Sequence, residues 1–196
     1  MASTAFRRAT LDDLLKAEAE GLACEIVGGE LVRKAMADDE HGAAQWALAG
    51  SLDPDFGRRG GGRRPGGWWL RTEVDVFFDP DHVLRPDASG WRRDRVPEMP
   101  REFPVRIAPD WVCEILSPST AGRDLGVKRD VYHRGNVGHY WVIDRAHRLL
   151  EVYVRGERAY ELVLAAGDAE TVRAPPFDAV PLFVGRLFGI DPPDED

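Results

Sequence analysis

The chain has 196 residues, 43% of them hydrophobic and 31% charged, with a formal net charge of −8. That length and balance suit one globular domain with a core of its own and exclude a disordered or fibrous chain. No apolar run reaches the roughly 18 residues of a membrane helix, and the N-terminus lacks the apolar segment of a secretion signal, so the expected setting is cytoplasmic and away from membranes.

Charge bears on partners as well. An acidic protein starts at a disadvantage with nucleic acid, because phosphate binding is driven largely by Lys and Arg. Here the positive charge is gathered. RRGGGRRPGG carries Arg58, Arg59, Arg63 and Arg64 with no acid, and WRRDRVPEMPREFPVR carries Arg92, Arg93, Arg95, Arg101 and Arg106 against three acids. The two cysteines, Cys24 and Cys113, sit in strand-like apolar segments without metal-ligand spacing and read as buried thiols.

In chain order, Thr10 followed by Asp13 gives a capping-box pattern that opens a short helix through LDDLLKAEAEG. CEIVGGELV reads as a tight hairpin around Gly28 and Gly29. A helix with one apolar face follows from about 39 to 52, and the glycine–arginine stretch 57–67 reads as a loop. WWLRTEVDVFFD and VLRPDASGW read as two strands divided by the turn DPDH, and 91–109 as a long irregular loop. PDWVCEIL is a strand, and SPSTAGRD turns into a helix from about 123 to 134. HYWVID and LLEVYV form a hairpin around 145–148, YELVLAAG and ETVRA add strands, and VPLFVGRLFG closes with a short helix. The order predicts a single α/β (α+β) domain over 1–190, with helices flanking a central mixed sheet. The acidic residues 191–196 read as a solvated, disordered tail.

Three charged residues stand where apolar ones are expected. Glu114 lies inside WVCEIL, on the strand face shared with Val112 and Leu116, while Trp111, Cys113 and Ile115 face the other way. A strand apolar on both faces is central, and an unpaired carboxylate buried there would cost several kcal/mol, roughly. It therefore needs a salt bridge, a solvent-reaching sheet end or a cation. Asp87 follows Pro86 on the preceding strand; adjacent strands lie about 4.8 Å apart, so acids from both can share one hard cation. Lys128 shares a helix face with Leu125 and Tyr132, where it either points at the acids or snorkels to water. His41 opens a helix as a cap or a supporting group; His133, His139 and His147 lack ligand spacing, which argues against zinc. There is no nucleophile elbow, phosphate loop or dinucleotide fingerprint.

Taken together, GGELV, a helix starting with His41, RPDASGW, PDWVCEILSPST, the RD…K…Y helix and HYWVID form a recognisable series. The chain resembles the Uma-two type of restriction endonucleases, a branch of the PD-(D/E)xK nuclease superfamily, from about residue 10 to 190. The resemblance implies a restriction-endonuclease-like core whose central mixed sheet carries the site at one end. It makes Asp87 the PD aspartate, Glu114 the second carboxylate and the Ile115 carbonyl a further metal ligand. Glu30 matches the family's N-terminal acid, completing the metal shell directly or through water. The lysine expected two residues after the glutamate is replaced by Leu116, and Lys128, on the next helix, takes its place.

The implied activity is Mg²⁺- or Mn²⁺-dependent hydrolysis of DNA phosphodiesters by a homodimer. Asp87, Glu114, Lys128 and Glu30 form the implied catalytic set. The arginine-rich loops become candidates for backbone contact. Trp68, Trp69 and Trp91 either stack on bases or anchor the core. Two other readings stay open: an inactive nuclease-fold protein serving as a DNA- or partner-binding module, and an oligomerisation domain with a buried Glu–Lys pair and no metal.

Overall fold

A computed structural model describes residues 7–34, 38–60, 63–117, 122 and 124–193. The first helix, α1 (Leu11–Ala19), starts where Thr10 and Asp13 close a reciprocal capping box. The hairpin β1 (Cys24–Val27) and β2 (Glu30–Arg33) turns through Gly28 and Gly29, both at positive φ, as the twist of a two-residue turn requires. Helix α2 runs from Asp39 to Phe56, capped by the Asp38 carboxylate, and is a turn longer than the apolar spacing suggested.

Each of the two long strands expected at 68–79 and 83–91 is broken in two. The first gives β3 (Trp68–Thr72) and β4 (Val76–Asp79), and the second gives β5 (His82–Leu84) and β6 (Ala88–Arg92). Glu73 takes the left-handed conformation (φ 55°), which turns the chain out of one sheet. Pro86, with no N–H to donate, marks the second break. The halves then join different layers. A four-stranded sheet has the order β2-β1-β5-β4. A six-stranded sheet contains β3 and β6 with β7 (Trp111–Leu116), β8 (His139–Asp144), β9 (Leu149–Arg155) and β10 (Tyr160–Gly167). Its order is β10-β9-β8-β7-β6-β3, and only β7 and β8 run parallel.

The expected α/β architecture with a mixed sheet and flanking helices is therefore present. The crossover from β7 to β8 passes through a π-helical turn, Asp124–Lys128, and the short helix α3 (Arg129–Arg134). Most of the expected turn at 117–124 lies outside the described residues. A two-stranded ribbon, β11 (Thr171–Val172) with β12 (Leu182–Phe183), and a 3-10 turn at Val184–Phe188 end the fold. Residues 191–193 of the acidic end are exposed, and 194–196 lie outside the described residues.

Both faces of the six-stranded sheet are covered, which is why β7 is apolar on both sides. On one face Trp111, Cys113, Ile115, Trp141 and Ile143 pack against α2 and the C-terminal segment around Phe177. On the other, Val112, Leu116, Tyr140 and Val142 meet Val131 and Tyr132 of α3 and Val27 and Leu84 of the smaller sheet. Glu114 points into this second layer, as its alternation with Val112 and Leu116 predicts. Both cysteines are buried and free. No helix among the described residues is long and apolar enough to cross a membrane.

Candidate active site

Just before β6, Asp87 is 2% exposed, and its Oδ2 accepts the backbone N–H of Ile115 at 2.6 Å. That bond draws the carboxylate across to β7, beside the residue that follows Glu114. Its other oxygen, Oδ1, meets Lys34 Nζ at 2.8 Å and His41 Nε2 at 3.4 Å. Gln45, one helical turn after His41, donates to the Asp87 carbonyl at 2.8 Å and to Glu73 Oε1 at 3.1 Å. Glu73 follows β3 directly in a left-handed conformation, and its side chain meets Gln45 of α2 there. Its Oε2 accepts from Lys34 Nζ at 2.7 Å.

A second cluster adjoins the first. Lys128 lies 2.9 Å from Glu25 Oε1 and 3.3 Å from Glu114 Oε1, and Tyr132, one turn further on, donates its hydroxyl to Glu114 Oε1. Glu25 also accepts the backbone N–H of Arg85, two residues before Asp87. Glu25, Glu114 and Lys128 are each no more than 3% exposed. Buried charges persist only when paired and hydrogen-bonded, and these are.

The electrostatics favour charge on the outer cluster. Burial opposes ionisation of Asp87, yet His41 and Lys34 hold its carboxyl below the usual range. Burial also works against the Lys34 ammonium, but Asp87, Glu73 and Glu114 outweigh it and push the amine up. The Lys34 ammonium is thus held charged chiefly by Asp87 and Glu73, with Glu114 adding to the pull. Tyr132 is driven well up by burial and by Glu114 and Glu25, so it stays a hydroxyl donor.

The Uma2 family model, described as "putative restriction endonuclease", matches residues 10–181. The chain belongs to this family. A crystal structure described as a putative nuclease of DUF820 from Anabaena variabilis shares the fold. It is 24% identical with a TM-score of 0.73, and the match covers 92% of this chain and 98% of that one. No curated protein matches.

Against that membership, the structure brings Asp87, Ile115, Glu114 and Lys128 together; Ile115 meets Asp87 through its N–H. It does not bring Glu30. That residue is exposed on β2, the edge strand of the smaller sheet, and among the described residues it pairs with none of the others. The N-terminal acid beside Lys128 is Glu25, five residues earlier. Its signal was the same as that of Glu114, an acid inside the apolar run CEIV. Lys34, Glu73 and Gln45 follow strand ends or sit on an ordinary helix, and nothing in their spacing marks them.

The aromatic residues expected either to stack or to anchor do the latter. Trp91 is fully buried, Trp68 is 8% exposed, and Trp69 is covered by the Arg93 guanidinium at 3.4 Å. Much of the second arginine stretch is also engaged: Arg92 pairs with Asp94, and Arg95 with Asp110.

His41, Glu73 and Asp87 offer one nitrogen and two carboxylate oxygens that all lie within 4.8 Å of one another. That is a donor set for a divalent cation of the Mg²⁺ to Mn²⁺ type, with the imidazole favouring Mn²⁺. The Lys34 ammonium on two of these acids shows that the place accepts a cation.

Proposed function

We propose that the protein is a divalent-metal-dependent endonuclease that hydrolyses DNA phosphodiesters in the cytoplasm. The reading is carried by Asp87, a buried carboxylate anchored to β7 by Ile115 N–H and turned toward His41, Glu73 and a cation. Asp87, Glu73 and His41 would hold Mn²⁺ or Mg²⁺ on the open side, with Glu114 on the inner side and the Ile115 carbonyl as a further ligand. A bound ion supplies Lewis-acid polarisation of the phosphate and a more acidic water.

The chain's own residues then have distinct parts. Asp87 fixes the charge at the sheet end. Gln45 holds Glu73 and the Asp87 backbone in register. Lys128 and Tyr132 aim Glu114, so Lys128 acts as a positioning residue. Water would attack phosphorus in line, giving up a proton to solvent, as the P–O bond to the leaving oxygen breaks and that oxygen takes up a proton from solvent. Because duplex cleavage takes two such sites, the working form is a homodimer.

The test is nicking of supercoiled plasmid in Mn²⁺, with Asp87→Ala and Glu114→Ala beside the wild type. Loss of cleavage by at least about a hundredfold in both folded variants is expected. Unchanged cleavage in Asp87→Ala refutes the assignment. A wild type that binds DNA without cutting it favours the non-catalytic binding module instead.

A further inference from the structure

The amine between Asp87 and Glu73 has no part in the chemistry just described, and its placement is specific. Lys34 Nζ lies 2.7 Å from Glu73 Oε2, 2.8 Å from Asp87 Oδ1 and 3.0 Å from the Arg85 carbonyl. Three oxygens around one nitrogen satisfy all three ammonium hydrogens. The backbone behind it is fixed, since Lys34 N donates to the Ala23 carbonyl at 2.9 Å. Only the four-carbon stem is free to swing, and the side chain keeps 12% of its exposure, so it has a way out to solvent. Lys128, at 3%, lacks that freedom.

An ion coordinated by Asp87 and Glu73 would stand about 2.1 Å from oxygens that the ammonium already contacts. Two cations cannot share that space: they overlap sterically and repel in a poorly solvated pocket. We infer that Lys34 is a built-in competitor of the divalent ion, an internal cation that neutralises Asp87 and Glu73 in the metal-free protein and must swing outward for metal to bind. It therefore sets the metal affinity of the site. The inference rests on the metal reading above and adds a residue that the reading does not require.

Calorimetric titration of the metal-free protein with MnCl₂ tests it. Lys34→Met should bind Mn²⁺ roughly ten- to a hundredfold more tightly than the wild type, because a competing charge is removed at contact distance. The gain should vanish when Asp87→Asn is added. In the unmutated protein, acetylation of Lys34 by an amine-reactive ester, read by mass spectrometry, should rise severalfold on adding Mn²⁺ while that of Lys128 does not. This second measurement decides the matter alone if Lys34→Met fails to fold. Equal affinity of Lys34→Met and wild type, or a gain that survives Asp87→Asn, overturns the inference and leaves metal binding standing. Absence of Mn²⁺ binding to either protein overturns the metal reading and the inference together.

Discussion

Glu25 comes from the smaller sheet and Glu114 from the larger one, and Lys128 is the cation between them. With all three nearly inaccessible to water, taking away the lysine would strand two buried carboxylates. Breaking a buried ion pair by removing one partner costs about 3–5 kcal/mol, so Lys128→Met should lower unfolding free energy by that much in urea. Tyr132→Phe removes one donor to Glu114 and keeps the ring packed, so about 1–2 kcal/mol is expected. A Lys128→Met variant as stable as the wild type would mean that the acids are protonated or wet. This cluster also shows what the sequence reveals residue by residue. An acid amid apolar strand neighbours announces itself, as Glu114 does. Glu73 and Lys34 carry no such mark, because a turn conformation and a strand end, not a hydrophobic period, deliver them.

Elements were legible where period and end signals agree: the capping box at Thr10, the Gly28–Gly29 hairpin and the doubly apolar β7 all appear in place. The two strands that split did not announce their breaks. WWLRTEVDVFFD stays β-forming throughout, and only the left-handed turn at Glu73 sends its halves to different sheets. The segment just after that turn is tied down by charge. Asp75 and Glu18 of α1 both accept from Arg85, between β5 and β6, so one guanidinium fastens three parts of the smaller layer. Burial pushes the Asp75 carboxyl up to about 6 against the pull of Arg85, with Glu18 and Glu25 adding to the rise. Its folded value thus exceeds its unfolded one, near 3.8. The proton favours the native state, a contribution complete below about pH 4 and lost as pH climbs through about 6. Relative to Asp75→Asn, which does not titrate, the wild type should lose up to about 3 kcal/mol over that window. Urea midpoints for both proteins from about pH 4 to 7 check this; parallel curves would show that Arg85 holds Asp75 ionised throughout.

For the molecule as a whole, the excess of acid and the proposed substrate pull against each other, and the proposed metal would reconcile them. A chain at −8 whose arginines are partly spent on internal partners, such as Arg92 on Asp94 and Arg95 on Asp110, has little free positive charge to offer a phosphate backbone. A divalent ion held by Asp87 and its neighbours would place two positive charges at the sheet end where the proposed substrate's phosphate would come. The same ion should tie the fold together, since its proposed donors arrive from α2, from just after β3 and from just before β6. A ligand that binds only the native state at a hundred times its Kd adds about 2.7 kcal/mol. For a domain of this size each kcal/mol raises the melting point by about 2–4 °C, so saturating Mn²⁺ should raise it by about 5–10 °C. Chelator should reverse the shift, and Asp87→Asn should remove it. If Mn²⁺ stabilises Asp87→Asn as much as the wild type, the ion binds somewhere other than this end of the sheet, and the charge conflict with DNA has to be resolved without it.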